Sequence, residues 1–243
     1  NTRGRGVILK DDESVSIMIN EEDHFRIQTL FPAFQAEAAW ELADKVDDVI
    51  ENVVDYAFDS KLGYLTACPT NVGTGLRVSV MLHLPALTMS DQVKKLISAV
   101  GQVGITVRGI YGEGTEAVGN IYQLSNQITL GRSEIDTIQH LEDVTRRVIQ
   151  QERAVRDHML KTERYELEDK VYRAYGVLAN ARLLTSHEAM ELLSQVRLGI
   201  DCGLITDLKS EILQELMVAI RPAHLQKLMG RQMDPRERDI QRS

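Results

Sequence analysis

The alternation of apolar and polar residues predicts strands and a helix at the start of the chain. Short β-rich runs at 6–10 and 14–19 flank the acidic stretch 11–13, which indicates a hairpin, and a third run follows at 25–30. Between 34 and 54 the apolar residues recur every three or four positions. That spacing is typical of an amphipathic helix with an acidic outer face.

The pattern between residues 60 and 160 adds more strands and two helices. Strands are predicted at 63–67 and 76–84; in the second, apolar residues stand at 76, 78, 80 and 82, and Pro85 ends it. The remaining elements are a helix at 90–100, strands at 105–110 and 120–124 around a glycine-rich loop, and a long helix that Ser133 and Asp136 begin with a capping box. The predicted class is α+β, with a mainly antiparallel sheet flanked by helices.

After residue 160 the pattern is helical, and no convincing strand is predicted. The helical stretches are 167–178, 186–196, 208–220 and 222–229, separated by glycine or proline. We therefore predict an α+β domain over 1–160, followed by a small all-helical domain over 161–243.

Composition narrows the class of protein. The 243 residues are 43% apolar and 26% charged, which is enough for a packed core, and the net charge of −8 argues against general nucleic-acid binding. No apolar run approaches the roughly 20 residues of a membrane helix, and we expect no signal peptide. Two distant cysteines, Cys68 and Cys202, favour a reducing compartment, so we expect a cytoplasmic protein. Because the chain starts at Asn1, we also expect that an upstream portion is missing.

Three polar segments at strand ends are the candidates for chemistry. The first is 20–26, Asn-Glu-Glu-Asp-His-Phe-Arg; three consecutive acids are usually a solvated turn, but Glu22 and Arg26 would share one face if the segment were extended. The second is 68–77, where small residues before a strand allow close backbone approach to a ligand, although Gly-Thr-Gly alone is a common turn. The third is 108–116, whose three glycines indicate a mobile flap or simply a long hairpin connection.

Together these segments resemble the guanidino kinases, the family of creatine and arginine kinases. Asn-Glu-Glu-Asp-His, Cys-Pro-Thr-Asn-x-Gly-Thr-Gly-Leu-Arg and Arg-Gly-x-x-Gly-Glu occur in the family's order, and the resemblance covers about residues 14–132. It implies the guanidino kinase catalytic fold and an enzyme that uses ATP and Mg²⁺. Phosphoryl transfer needs positive charge on the phosphate oxygens. Arginine guanidinium groups, which are planar and permanently charged, can supply it.

The resemblance also implies roles for individual residues. Glu22 matches the carboxylate that pairs with the acceptor guanidinium and acts as base, and Glu113 matches the second carboxylate on the flap. The implied cofactor-binding residues are Arg26, Arg77, Arg108, Asn71 and Gly73. Cys68 matches a reactive, modulating thiol, for which a buried inert cysteine is the alternative. No histidine has metal-ligand spacing, so no protein metal site is predicted.

Two departures from the family pattern affect these roles. The family's upstream Ser-Ser-Arg-x-Arg segment has no match, which we attribute to truncation, so the fragment alone is expected to be weakly active. Gln123 stands where the family has an acid in the strand after the flap, which puts nucleotide contacts there in question.

The helical extension is similar to that of the bacterial protein-arginine kinases. Residues 168–173, 196–201 and 235–239 carry this likeness. It implies a stress-response enzyme that phosphorylates protein arginines for Clp-type proteolysis, with a zinc-binding activator protein and a homodimer. Arg238 and Asp239 would form a phosphoarginine-binding site coupled to dimerisation, whereas a solvated charged helix is the alternative.

Two other functions remain open from the sequence. A kinase for a free small guanidine (a phosphagen kinase) would share every catalytic residue but would leave the helical domain unexplained. A non-catalytic phosphoarginine-binding adaptor would leave Glu22, Glu113 and the three arginines unexplained. The identity of the substrate proteins does not follow from the sequence.

Overall fold

In the computed structural model, which describes residues 4–109 and 117–243, the predicted hairpin is present and a third strand extends it. The strands are β1 (Gly6–Leu9), β2 (Val15–Ile19) and β3 (Phe25–Thr29). They form an antiparallel sheet in the order β1-β2-β3, with Ile17 opposite both Ile8 and Ile27. Because cross-strand partners share a face, these three isoleucines form one apolar row.

The other strands are short and lie in two further sheets. They are β4 (Phe58–Asp59), β5 (Gly63–Tyr64), β6 (Ser79–His83), β7 (Ile105–Gly109) and β8 (Ile121–Asn126). β4 and β5 form an antiparallel pair, and the last three strands are ordered β6-β8-β7.

Helices account for most of the chain after β8. They are α1 (Ala36–Glu51), α2 (Pro85–Met89), α3 (Val93–Gln102), α4 (Glu134–Thr162), α5 (Arg164–Asn180), α6 (Ser186–Asp201), α7 (Ser210–Ala219), α8 (Pro222–Met229) and α9 (Pro235–Arg242). The predicted mixed fold with a helical carboxyl-terminal part is confirmed. One half of the predicted capping box at the start of α4 is present, because the Ser133 hydroxyl accepts the Asp136 amide at 3.1 Å; the same hydroxyl donates to the Asp136 carboxylate at 2.7 Å.

Three element predictions need correction. β6 begins at Ser79 rather than at Leu76, because the Asn126 side chain takes backbone groups that a strand ladder would use. Pro85 does more than end β6: it occupies the first turn of α2, where its fixed φ suits a helix. Helix α9 was not among the helices predicted from periodicity and was considered only as the charged-helix alternative for Arg238 and Asp239, because Ile240 is its one aliphatic residue.

The chain divides into two compact units. The first unit consists of Asn1–Val80, Ile97–Val107 and Gln123–Arg147. Its buried apolar residues include Val15, Ala36, Val100, Leu124 and Leu141. α1 follows the predicted periodicity, although Val49 and Val53 near its end are exposed.

The second unit consists of Met81–Leu96, Arg108–Tyr122 and Val148–Ser243. One apolar cluster forms its core, with Leu167 and Val171 of α5 against Met190, Leu193 and Val196 of α6, all nearly inaccessible. The predicted domain boundary near residue 160 stays a prediction. Among residues 4–109 and 117–243, no helix combines the length and the apolar character needed to cross a bilayer.

Candidate active site

The first candidate segment is a closed bend between β2 and β3. The Asn20 amide donates to the His24 carbonyl at 3.0 Å, and the two side chains are also 3.0 Å apart. Asn20 has φ 53°, a left-handed conformation that asparagine tolerates better than most residues. Glu22 therefore projects from a bend, and the expectation that Glu22 and Arg26 share one face of an extended segment is wrong. Glu22 is exposed, which leaves its carboxylate accessible to a ligand.

Arg26 pairs with Glu21. Its Nη1 lies 3.3 Å from the Glu21 carboxylate, and both side chains are about half exposed. A surface ion pair of this kind contributes little, since water competes for both charges. A phosphate oxygen can therefore replace Glu21 at this guanidinium without a large penalty.

Asp23 joins this bend to the Cys68 segment. Its carboxylate accepts the Ala67 amide at 2.6 Å, across 44 residues of sequence. Cys68 follows directly, half-buried and outside any disulfide, with its Sγ 3.0 Å from the Thr70 hydroxyl. The structure thus brings the Glu22 bend and the Cys68 segment together, as a shared site requires.

The glycine at position 73 is required by close packing within the protein. Gly73 has φ 117°, and a Cβ atom there would overlap the Thr129 carbonyl oxygen. The Thr129 hydroxyl also donates toward the Thr70 and Val72 carbonyls, at 3.0 and 2.8 Å. The close approach expected at this glycine is therefore made by Thr129. Asn71 ends the short 3-10 turn Pro69–Asn71, and the predicted ligand roles of Asn71 and Gly73 stay predictions.

Asn126 holds the backbone on both sides of Arg77. Its side-chain oxygen accepts the Val78 amide at 2.8 Å, and its nitrogen donates to the Leu76 carbonyl at 3.0 Å. Asn126 is only 4% exposed, so these bonds are shielded from water. Arg77 itself is exposed, so a rigid backbone presents a solvent-accessible guanidinium.

The remaining catalytic candidates fall elsewhere. Arg108 lies half-buried on β7, within the second unit. Glu113 lies outside the described residues, so its role stays a prediction. Gln123 on β8 stands where the family has an acid. Its side-chain amide nitrogen donates to the Ser79 hydroxyl at 2.9 Å.

Arg238 and Asp239 lie on α9 and are both half-buried. The Arg238 guanidinium donates to the Met233 carbonyl at 2.7 Å. The Asp239 carboxylate accepts Arg242 Nη1 at 2.6 Å, and the Asp239 carbonyl accepts the Leu184 amide at 3.0 Å. Both side chains thus have contacts within this unit, unlike those of a fully solvated helix.

Several contributors to these sites were missed by sequence reasoning. Asp23 lay within a quoted motif and Asn126 within the stretch 14–132 that the resemblance covers, but their structural roles depend on contacts across more than 40 residues. Arg242, whose side chain is 2% exposed, carried no signal, because burial of an arginine is not visible in sequence. In the described part of the chain, no three metal-ligating side chains converge.

Comparison with known proteins gives two consecutive family matches. Residues 1–155 match ATP:guanido phosphotransferase, C-terminal catalytic domain, and residues 164–243 match protein-arginine kinase McsB C-terminal domain. The crystal structure of lombricine kinase is similar with a TM-score of 0.56 and 33% identity, covering 62% of this chain and 42% of that one. The duplicated taurocyamine kinase of Schistosoma mansoni is similar with a TM-score of 0.53 and 32% identity, covering 61% and 20%.

Curated relatives extend the likeness along nearly the whole chain. The protein-arginine kinase of Halothermothrix orenii is 55% identical over 99% of this chain and 69% of its own length. That of Moorella thermoacetica is 57% identical over 98% and 68%, and that of Bacillus subtilis 56% over 98% and 66%. The chain thus spans about two thirds of the length of these relatives. It belongs to the protein-arginine kinase family of ATP:guanido phosphotransferases.

Proposed function

We propose that the protein containing this chain transfers a phosphoryl group from ATP to arginine side chains of other proteins. The observation that carries this proposal is the succession of the two family matches, at 1–155 and 164–243, in a single chain. A guanidino kinase catalytic domain supplies the chemistry. The helical region distinguishes a kinase for protein arginines from one for small guanidines.

The nucleotide would be held mainly by arginines. Arg26 and Arg77 are exposed, and the partner of Arg26 is a weakly held surface glutamate. Guanidinium forks bind phosphate oxygens in bidentate geometry and stay charged at any relevant pH. We include Mg²⁺ in the proposal, because bound to ATP it would neutralise phosphate charge beside these arginines.

Glu22 would orient and deprotonate the acceptor. The acceptor guanidinium is cationic, so a nitrogen attacks phosphorus only as its proton leaves. The exposed Glu22 carboxylate can pair with the guanidinium and accept that proton, while the N–P bond forms and the bond to the ADP oxygen breaks. Glu113 would supply a second carboxylate.

The cellular setting is also proposed. We place the enzyme in the cytoplasm as a homodimer in the stress response, where phosphoarginine marks proteins for Clp-type proteolysis and a zinc-binding protein activates the kinase. Arg238 and Asp239 would bind phosphoarginine. Both are half-buried on α9, and the Asp239 carbonyl accepts the Leu184 amide just before α6. A ligand bound at α9 would therefore act on a helix that is hydrogen-bonded to the rest of this unit.

Transfer to a free guanidine is the second candidate function. It is favoured by the similarity of the solved lombricine and taurocyamine kinases, which cover 62% and 61% of this chain. The deciding experiment incubates the natural full-length protein with radiolabelled ATP and either free arginine or an unstructured arginine-rich protein. Acid-labile label on the protein only supports the proposal, and label on free arginine only replaces it. No label on either would favour a phosphoarginine-binding adaptor.

A substitution of Glu22 tests the assigned base. Glu22→Ala is expected to abolish phosphorylation while ATP binding, measured by calorimetry, stays within about twofold, because the carboxylate faces the acceptor. Glu41→Ala is the control, since Glu41 is an exposed acid on α1. Full activity of Glu22→Ala would remove Glu22 from the mechanism.

The phosphoarginine site is tested separately on α9. Arg238→Ala should weaken binding of a phosphoarginine peptide or dimerisation, followed by calorimetry and sedimentation. Arg236→Ala is the matched control, because Arg236 is exposed on the same helix. Unchanged binding and assembly would leave Arg238 only its contact with the Met233 carbonyl, a structural role in α9.

A further inference from the structure

Helix α6 of the carboxyl-terminal region is hydrogen-bonded to the turn that precedes β8. The Gly119 amide donates to Glu191 Oε1 at 2.7 Å, and the Asn120 side chain donates to the Ser194 hydroxyl at 2.7 Å. Ser194 is fully buried and Asn120 is 9% exposed, so water does not compete for the second bond. All four residues belong to the second unit.

The turn at Gly119 and Asn120 is left-handed and lies close to α6. Gly119 and Asn120 have φ of 65° and 55°, so two consecutive residues are left-handed. Glycine and asparagine adopt left-handed φ values more readily than other residues do. A Cβ atom at Gly119 would lie 3.0 Å from the Met190 carbonyl oxygen, so the α6 backbone lies directly against the turn.

This turn leads directly into the sheet that carries Arg108, a candidate phosphate ligand. Ile121 begins β8 immediately after Asn120, and β8 lies between β6 and β7 in the sheet. The Asn120 carbonyl also accepts the Leu84 amide at 2.9 Å, just after the end of β6. β7 carries Arg108 and pairs with β8. Displacement of the turn would therefore move β8, the neighbour of the strand that carries Arg108.

His83 completes the contact. Its Nε2 lies 2.8 Å from the Ser194 hydroxyl, which also receives the Asn120 amide. Since Asn120 donates to Ser194, the hydroxyl proton is available to a neutral imidazole. Burial and the nearby Arg156 guanidinium lower the pKa of His83 to about 3, which agrees with that neutral state.

We propose that Glu191 and Ser194 are positioning residues for phosphoryl transfer, through which the carboxyl-terminal helical region holds β8 and its neighbour β7 in the arrangement that presents Arg108. This inference rests on the proposed function. Glu191 and Ser194 lie in the part matched to the McsB C-terminal domain, whereas the turn lies in the catalytic match. The helical region would therefore contribute to catalytic geometry directly.

The test uses the natural full-length protein and an arginine-rich protein substrate. Glu191→Ala is expected to lower kcat about tenfold with KM for ATP changed less than about threefold, since small misplacements act mainly on the transition state. Hydrogen exchange at the Gly119 amide should accelerate. Glu191→Gln should retain most activity, because its amide oxygen still accepts that bond. Glu188→Ala is the matched control, on the same helix but exposed.

Each outcome decides the matter. Wild-type kcat and unchanged Gly119 exchange in Glu191→Ala would overturn the inference, as would an equal loss in Glu188→Ala. If Glu191→Ala fails to fold, Ser194→Ala replaces it, and wild-type kcat in a folded Ser194→Ala overturns the inference. A wild-type protein with no kinase activity would overturn the proposed function as well, whereas an active wild type with an unaffected Glu191→Ala overturns the positioning role alone.

Discussion

Replacement of Glu152 should destabilise the second unit more than replacement of any surface acid. Glu152 lies on α4 and is 3% exposed. Its two oxygens accept the Ala86 and Leu87 amides of the first turn of α2, at 3.1 and 2.9 Å. The same carboxylate accepts Arg156 Nε at 2.7 Å. A negative charge at a helix amino terminus and a buried ion pair thus depend on one side chain.

The expected loss for Glu152→Ala is about 4 kcal/mol. Breaking a buried pair by removing one partner typically costs about 3–5 kcal/mol, and each buried amide left without an acceptor costs about 1–3 kcal/mol. These contributions overlap. Arg156 keeps Asp201 at 3.0 Å, which compensates part of its charge, so the total stays near the middle of the first range. For a protein of this size the loss corresponds to a fall in Tm of about 8–16 °C.

The assay is urea denaturation of the natural full-length protein, followed by circular dichroism. Glu142→Ala is the matched control: Glu142 lies on the same helix and pairs with Arg146 at the same four-residue spacing, but at 3.3 Å with Arg146 62% exposed. That control should lose less than about 1 kcal/mol. A loss below about 1 kcal/mol for Glu152→Ala, or one equal to that of Glu142→Ala, would refute the reasoning that burial makes this pair costly to break.

Three further predictions follow from local geometry. Gly73→Ala should cost about 3 kcal/mol by urea denaturation and reduce kinase activity, because its Cβ would overlap the Thr129 carbonyl. Gly199→Ala should cost about 2 kcal/mol in the same assay, because its Cβ would overlap the side chain of Val171, which is 1% exposed. For His83 the unfolded chain takes up a proton below about pH 6.5, whereas the folded chain does so only near pH 3. Stability should therefore fall by about 2 kcal/mol between pH 6.5 and pH 5 from this group, and His83→Gln should show a weaker pH dependence.

Each of these predictions has its own control. Gly131→Ala also places a side chain at positive φ, 82°, but no heavy atom of the described residues lies within 4 Å of the added Cβ, so it should cost only about 1 kcal/mol. A double variant of Gly199→Ala with Val171→Ala should recover part of the loss, and strict additivity would argue against the overlap. For His83→Gln, an acid dependence identical to that of the wild type would show that other groups dominate.

Local periodicity was enough for most elements of the fold. The hairpin of β1 and β2 and the helices α6 to α8 lie within five residues of their predicted bounds. Side-chain spacing along a strand or helix is a local property, so one sequence reveals it. The missed α9 did carry one local signal, the Asp234-Pro235-x-Glu237 start, whose capping box is present in the structure.

The sequence predicted which residues belong to the candidate site, but it did not predict the contacts that support them. Glu22 and Arg26 followed from motif likeness, but the bend at Glu22 depends on how β2 and β3 close. Asp23 reaches Ala67 across 44 residues, and no spacing along the chain indicates that pairing. Gly73 was expected to approach a ligand, while the structure shows its neighbour to be Thr129.

By itself the sequence determined the family and the mixed catalytic part followed by helices, and it predicted the charged groups that we propose for phosphoryl transfer. Only the tertiary structure decided which side chains are held in place, and which contacts hold them. Nothing along the chain marks Glu152 and Arg156, or Gly119 and Glu191, as partners, yet each pair meets in a part-buried hydrogen bond. The reason is physical: a polar contact gains its strength from burial, and burial is set by the packing of segments distant in sequence.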